Sequence, residues 1–86
     1  MPDVEISQGY FRHDGFGPDL KRLLEYKNLT PTELADKMGI HNSTIYYWIS
    51  GRSLPNLDRL FKLARALNVT PEFLLSLVQE SDWDKD

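Results

Sequence analysis

The sequence lacks several features that define whole classes of protein. None of its 86 residues is cysteine, which excludes disulfide frameworks and thiolate metal sites. It has no long apolar run and its first residues are acidic, so we expect neither a secretory signal nor a membrane span. His13 and His41 have no further metal-binding side chains at ligand spacing, so we expect no metal. The default prediction is a cytoplasmic protein.

Motifs typical of enzymes are missing as well. The sequence contains no nucleophile elbow, no P-loop and no dinucleotide-binding fingerprint. His13 and Asp14 form a dipeptide that occurs in some catalytic sites, but no companion motif accompanies them. We therefore predict a protein that is not an enzyme and needs no cofactor.

Charge is distributed unevenly along the chain. The formal net charge of −3 argues at first against a nucleic-acid partner, because phosphate contacts need lysine and arginine. Residues 19–67, however, carry three more basic than acidic residues, whereas residues 1–18 and 68–86 together carry six more acidic than basic ones. A basic centre is compatible with DNA binding in which the electrostatic contribution is modest.

Helical periodicity begins at Asp19 and continues to residue 78. No segment alternates with a period of two, so we predict an all-α fold of five short helices. Residues 1–18 are predicted to be an irregular aromatic N-terminal segment, because Gly9, Gly15, Gly17 and Pro18 interrupt any long element. Residues 79–86 are predicted to be an acidic C-terminal tail. The apolar positions expected to be buried in the fourth helix are Leu57, Leu60, Phe61, Ala64 and Leu67.

Residues 30–50 contain the strongest local signals. Thr30 followed by Pro31 and Glu33 predicts an N-cap, a proline at the first helical position and a capping box. Gly39 supplies the positive φ of a tight turn. The next helix is predicted to start after His41 or Asn42, and its inward residues are Ile45, Trp48 and Ile49. A helix, a short turn and a second, firmly packed helix form the arrangement that DNA readout requires.

Residues 20–75 resemble the phage-repressor and Cro type of helix-turn-helix proteins, the XRE family. The strings that carry the resemblance are LTPTELA, STIYYWISGRSLP and LFKLARALNV, in this order and at this spacing. The resemblance implies a compact five-helix, lambda-repressor-like DNA-binding domain over residues 19–78. Its second and third helices would form the helix-turn-helix.

The resemblance also implies which residues contact double-stranded DNA. Those expected to contact bases are Asn42, Ser43, Tyr46 and Tyr47. Those expected to contact phosphates are Arg52, Ser53, Asn56 and Thr30, with the Gly51 and Ser53 backbone beside Arg52. Plainer interpretations remain open: Asn42 as only an N-cap, the tyrosines as ordinary surface residues, and Arg52 as a solvated charge.

The sequence departs from the family pattern in two places. Many members have a glutamine where this chain has Pro31, and that glutamine touches phosphate and braces a recognition-helix side chain. Many members also pair an arginine with a glutamate at the positions of Leu24 and Ile49. We expect these two apolar side chains to pack together and preserve the scaffold, since matched hydrophobes often replace a buried ion pair without loss of stability.

The function that follows is a DNA-binding transcriptional regulator, expected to be a repressor that binds a palindromic operator as a homodimer. The resemblance places the dimer interface at Phe73, Leu77, Val78 and Trp83. An alternative is an antitoxin or protein-binding adaptor on the same fold, with a toxin as partner. Tyr10, Phe11 and Phe16 are interpreted either as cover for the core or as a partner surface.

Overall fold

The computed structural model describes residues 15–78, and within this range it contains five α-helices and no strand. The fold prediction is therefore confirmed. The helices, numbered in chain order, are α1 (Phe16–Lys27), α2 (Pro31–Met38), α3 (Asn42–Ser50), α4 (Leu57–Leu67) and α5 (Pro71–Ser76).

Helix α1 begins three residues earlier than the sequence indicated. Phe16 and Gly17 are buried in its first turn, whereas both had been assigned to the irregular segment. Gly17 is required by packing, because a Cβ atom there would lie 2.3 Å from the carbonyl oxygen of Ile49. Pro18 is compatible with the first helical turn, where its missing N–H is not needed. Phe16 therefore covers the core, and Tyr10 and Phe11 lie outside the described residues.

The predicted helix signals of α2 are present. The Thr30 hydroxyl accepts a hydrogen bond from the backbone N–H of Glu33 at 3.1 Å, and the Glu33 carboxylate accepts one from the backbone N–H of Thr30 at 2.8 Å. Gly39 follows the helix with a φ of 69°, the left-handed conformation that glycine adopts without a steric penalty. The capping box and the glycine together fix both ends of α2.

One hydrophobic core joins all five helices. It consists mainly of leucines, with Trp48 from α3 and Phe16 from α1. Trp48 is only 2% exposed, as its inward position in the sequence predicted. The prediction for α4 was wrong in part, because Leu57 and Phe61 are 64% and 52% exposed. The predicted burial of Leu60, Ala64 and Leu67 is confirmed, and Leu63, which was not predicted, is buried beside them.

None of the helices in residues 15–78 has the length and apolar character that would be needed to span a bilayer.

Candidate nucleic-acid interface

Helix α3 is buried on one side and open on the other. Ile45 and Trp48 point into the core, whereas Tyr46 and Tyr47 are 51% and 46% exposed. Asn42 lies half-buried in the first turn, followed by Ser43, which is also half-buried. The structure thus brings all four residues predicted to contact bases onto one short helix.

The N-cap of α3 is His41, one of the two residues after which this helix was predicted to start. Its Nδ1 accepts a hydrogen bond from the backbone N–H of Ser43 at 3.1 Å and lies 2.9 Å from Ser43 Oγ. Asn42 is consequently the first residue of the helix, and the interpretation of Asn42 as an N-cap is wrong. Its side chain remains available for another contact.

The Asn42 side chain is held by Thr32, a residue that the sequence did not single out. Asn42 Nδ2 donates a hydrogen bond to Thr32 Oγ1 in the first turn of α2, at a distance of 3.4 Å. The family pattern implies a bracing glutamine at the position of Pro31, and a proline side chain cannot donate such a hydrogen bond. Thr32 supplies it from the next position along the helix. Asn42 keeps its Oδ1 and one N–H, the two groups that pair with the N6 and N7 atoms of adenine.

Tyr47 and Arg52 form a unit at the other end of α3. The Arg52 guanidinium lies over the Tyr47 ring, 5.5 Å from its centroid. The Arg52 backbone N–H also donates to the Tyr47 carbonyl at 2.9 Å, so the loop that follows the helix is fixed to its last turn. Stacking restricts the motion of the arginine and holds its positive charge beside the exposed face of the helix.

Several predicted phosphate contacts are already used within the domain. The backbone N–H groups of Gly51 and Ser53 donate to carbonyls of α3, at 3.2 and 3.4 Å, which leaves only the side chain of Ser53 for DNA. Thr30 is occupied by its capping box, and the Glu33 carboxylate places a negative charge beside it. Asn56 caps α4 through Oδ1 and retains its side-chain N–H groups as donors. The Thr30 hydroxyl retains its hydrogen as a donor, so its phosphate contact stays a prediction, one that the adjacent carboxylate disfavours.

A shallow depression of about 390 Å³ lies between α1, α3 and the start of α2. Leu24 and Ile49 both line it, so they lie on the same side of the domain, and direct packing of their side chains stays a prediction. Tyr46 and Lys21 line the same depression, so a positive charge that the sequence analysis had left unassigned lies close to the exposed face of α3. Its lining residues are Lys21, Leu24, Glu25, Leu29, Thr30, Pro31, Tyr46 and Ile49.

Comparison with known proteins agrees with this geometry. The family model described as helix-turn-helix (HTH_3) matches residues 20–74, which include all of α2, α3 and α4. The chain belongs to the helix-turn-helix family. The predicted resemblance to XRE-type DNA-binding proteins is thereby confirmed.

Helix-turn-helix relatives of this chain have several named roles. Two HTH-type transcriptional regulators of Archaeoglobus fulgidus are 31% and 33% identical over 67 residues, covering 74% of this chain and 94% and 96% of theirs. The HTH-type transcriptional activator BcrR of Enterococcus faecalis is 34% identical over 61 residues. This match covers 71% of the chain and only 30% of the activator.

A further helix-turn-helix relative is antitoxin HigA-1 of Vibrio cholerae serotype O1. It is 40% identical over 62 residues, which make up 71% of this chain and 58% of the antitoxin. The family thus includes regulators and an antitoxin that share the same domain.

The residues expected to form a dimer interface of this helix-turn-helix domain are placed differently by the structure. Phe73 and Leu77 are 6% and 0% exposed and belong to the core, so they do not offer a surface. Val78 is half-buried, and Trp83 lies outside the described residues. Val78 lines an open apolar groove of about 280 Å³ between the loop after α3, the start of α4 and α5. The other residues lining this groove are Leu54, Pro55, Asn56, Leu57, Leu60 and Leu75.

Proposed function

We propose that this protein is a sequence-specific transcriptional repressor that binds a palindromic DNA operator as a homodimer. The observation that carries the proposal is the exposed face of α3, on which Asn42 is oriented by Thr32. A side chain that is already oriented loses less conformational freedom on meeting a base edge than a freely rotating one does. Since its partner is DNA, the predicted compartment remains the cytoplasm.

The contacts divide into two groups. We propose that the bases are contacted by Asn42, Ser43 and Tyr47. Tyr46, which lines a surface depression together with Lys21, would lie at the edge of the DNA major groove. Arg52, Ser53 and Asn56 are proposed to contact phosphates. Three such phosphate contacts per subunit are few, so affinity depends strongly on two subunits binding together.

The apolar groove at the start of α4 is the proposed dimer interface. Leu57 and Leu75 on its rim are 64% and 49% exposed, so they extend the apolar groove outward, and an exposed apolar patch is a common mark of an interaction surface. Two-fold symmetry would place the same groove of each subunit against the other. The two α3 helices would then enter successive major grooves, about 34–36 Å apart.

The test is selection of preferred sites from random duplex DNA with the full chain. We expect an inverted repeat whose half-sites are separated by about one helical turn, on the order of 10 base pairs. Enrichment of a single half-site would support sequence-specific DNA binding but contradict binding as a homodimer. No enrichment over input, by a protein whose circular dichroism is helical, would contradict the proposal.

A second candidate function is that of an antitoxin that neutralises a protein toxin. The observation that favours it is the 40% identity with antitoxin HigA-1 of Vibrio cholerae. Its test is co-expression with the product of the adjacent gene. The antitoxin proposal requires growth arrest by that product alone, rescue by this chain and co-purification of the two. An antitoxin that also binds its own operator would meet both tests.

A further inference from the structure

The outward side of α4 combines an exposed aromatic ring with positive charge. Phe61 is 52% exposed and lines a shallow groove of about 280 Å³ together with Asp58, Lys62 and Arg65. Lys62 and Arg65 also line a neighbouring depression with Lys37 of α2. Three cations therefore share this surface with one carboxylate. We call the surface formed by Lys37, Asp58, Phe61, Lys62 and Arg65 the α4 face.

The α4 face is separate from the proposed DNA contacts. Lys37 lies in the last turn of α2, whereas Thr32, which holds Asn42, lies in the first turn of that helix. Phe61, moreover, is an apolar group that phosphate would not recognise. A ligand for this face needs both negative charge and an apolar or aromatic side chain.

Residues 79–86 of the chain itself have this composition. They contain Glu80, Asp82, Asp84 and Asp86 against a single Lys85, and Trp83 lies between two of the aspartates. We propose that this segment binds to the α4 face of its own domain. Trp83 packs on the Phe61 ring, and the flanking carboxylates lie near Lys62 and Arg65. Aromatic contact and opposite charge then act on the same few residues.

The position of Val78 makes an intramolecular contact feasible. Val78 lines a groove together with Leu57, and Phe61 lies one turn further along α4 on the same side of the helix as Leu57. The five residues from Val78 to Trp83 span at most about 18 Å when extended. A tether of this length gives an effective concentration in the millimolar range, so even weak surface contacts suffice for binding.

Quenching of tryptophan fluorescence by acrylamide in the full chain tests this proposal. The chain has two tryptophans, and Trp48 is 2% exposed, so quenching reports mainly on Trp83. At about 50 mM salt we expect Trp83 to be shielded in the wild type. Its quenching constant should rise about two- to four-fold at 1 M salt, where the Debye length is about 3 Å. Lys62→Glu combined with Arg65→Glu should raise it similarly at low salt.

Two controls distinguish the proposed contact from other causes. Arg59→Glu makes the same kind of charge change at an exposed position of α4 that lines neither groove of the α4 face, and it should leave quenching unchanged. Trp83→Phe leaves Trp48 as the remaining tryptophan and so measures the quenching that Trp48 contributes. Circular dichroism shows whether each variant is folded.

Three results would overturn the proposal. The first is full quenching of Trp83 in the wild type at low salt. The second is an equal effect of Arg59→Glu and of the charge reversals at Lys62 and Arg65. The third is shielding of Trp83 that increases with protein concentration between about 5 and 500 μM, which would show that the segment binds to a second copy of the chain.

Discussion

The side-chain amide of Asn42 donates a hydrogen bond to the hydroxyl of Thr32, at 3.4 Å, and so joins the first turn of α3, the proposed recognition helix, to the first turn of α2. The bond is long and exposed, and its contribution to stability is small. Its importance lies in direction, because it limits the orientations available to the Asn42 side chain, which we propose contacts a base. It also provides a substitute for the glutamine that the family pattern implies at the position of Pro31.

Removal of the Asn42 side chain should reduce sequence preference rather than overall DNA binding. For Asn42→Ala we expect the preference for the selected operator over random DNA to fall by about 1–3 kcal/mol, or about 5- to 150-fold. Thr32→Val keeps the shape of Thr32 but removes the acceptor. It should cost about 0.5–1.5 kcal/mol of the same preference. Competition binding by fluorescence anisotropy measures both.

The double variant provides the control for this pair. If Thr32 acts through Asn42, adding Thr32→Val to Asn42→Ala should have almost no further effect. Additive losses would show that Thr32 contacts DNA independently. Wild-type preference in Asn42→Ala would remove Asn42 from the set of base contacts.

Substitution of His41 should destabilise the start of the recognition helix. His41→Ala removes the side-chain acceptor for the backbone N–H of Ser43, and we expect the free energy of unfolding to fall by about 1 kcal/mol. His41→Asn replaces it with a favoured N-cap and should retain wild-type stability or exceed it. Urea denaturation followed by circular dichroism measures the difference. Equal stabilities of the alanine and asparagine variants would contradict the capping role.

Substitution of Arg52 should weaken binding to all DNA sequences alike. Arg52→Ala removes one proposed phosphate contact per subunit, so the slope of log affinity against log salt should decrease in magnitude by about 0.9 for each half-site. Lys37→Ala, which removes a charge from the far end of α2, is the matched control and should leave the slope unchanged. A loss of affinity confined to the operator would instead indicate that Arg52 contacts a base.

Substitution by alanine should destabilise the domain at both Gly17 and Gly39, for different reasons and to different degrees. In Gly17→Ala the new Cβ meets the carbonyl oxygens of Ile49 and Trp48 at 2.3 and 2.8 Å, so helices α1 and α3 must separate. We expect a loss of about 2–3 kcal/mol in spite of the better helix propensity of alanine. Gly39→Ala has open space around its Cβ, and its cost of about 1 kcal/mol comes from a φ of 69°. Thermal denaturation that ranks Gly39→Ala as the worse of the two would contradict this packing.

Disruption of the apolar groove should separate subunits without unfolding them. Leu75→Glu places a charge on an exposed rim position, and we expect a monomer with unchanged helix content and lower operator affinity. Phe73→Ala, in contrast, removes a buried side chain and should cost about 3–5 kcal/mol of folding free energy. Sedimentation equilibrium and denaturation distinguish the two outcomes. A dimer that persists in Leu75→Glu would place the interface elsewhere.

The sequence predicted local features better than it predicted surfaces. Thr30 and Gly39 are recognisable because capping and positive φ depend on residues adjacent in the chain. Phe73 and Leu77 illustrate the opposite case. A helical stripe shows that a face is apolar, but whether it faces its own core or a second subunit depends on where the other helices lie.

The start of α1 and the brace on Asn42 were missed for a related reason. Gly17 normally argues against a helix, and only the nearby carbonyl of Ile49 explains why a residue without a Cβ is needed there. Thr32 and Asn42 are ten positions apart, and no pattern within either helix indicates that their side chains meet. Such pairings arise from tertiary packing, which the order of residues does not show directly.

The close approach of Gly17 to the last carbonyls of α3 has a mechanical consequence. It clamps the recognition helix at its C-terminal end by steric contact with backbone atoms, which yield little. The N-terminal half of the helix is anchored by Ile45, which is fully buried, and by the hydrogen bond between Asn42 and Thr32. The helix is therefore fixed to the scaffold at both ends, and Asn42 and Ser43 should move little relative to the rest of the domain. Two such rigid helices should reject half-sites that depart from the best fit instead of adjusting to them.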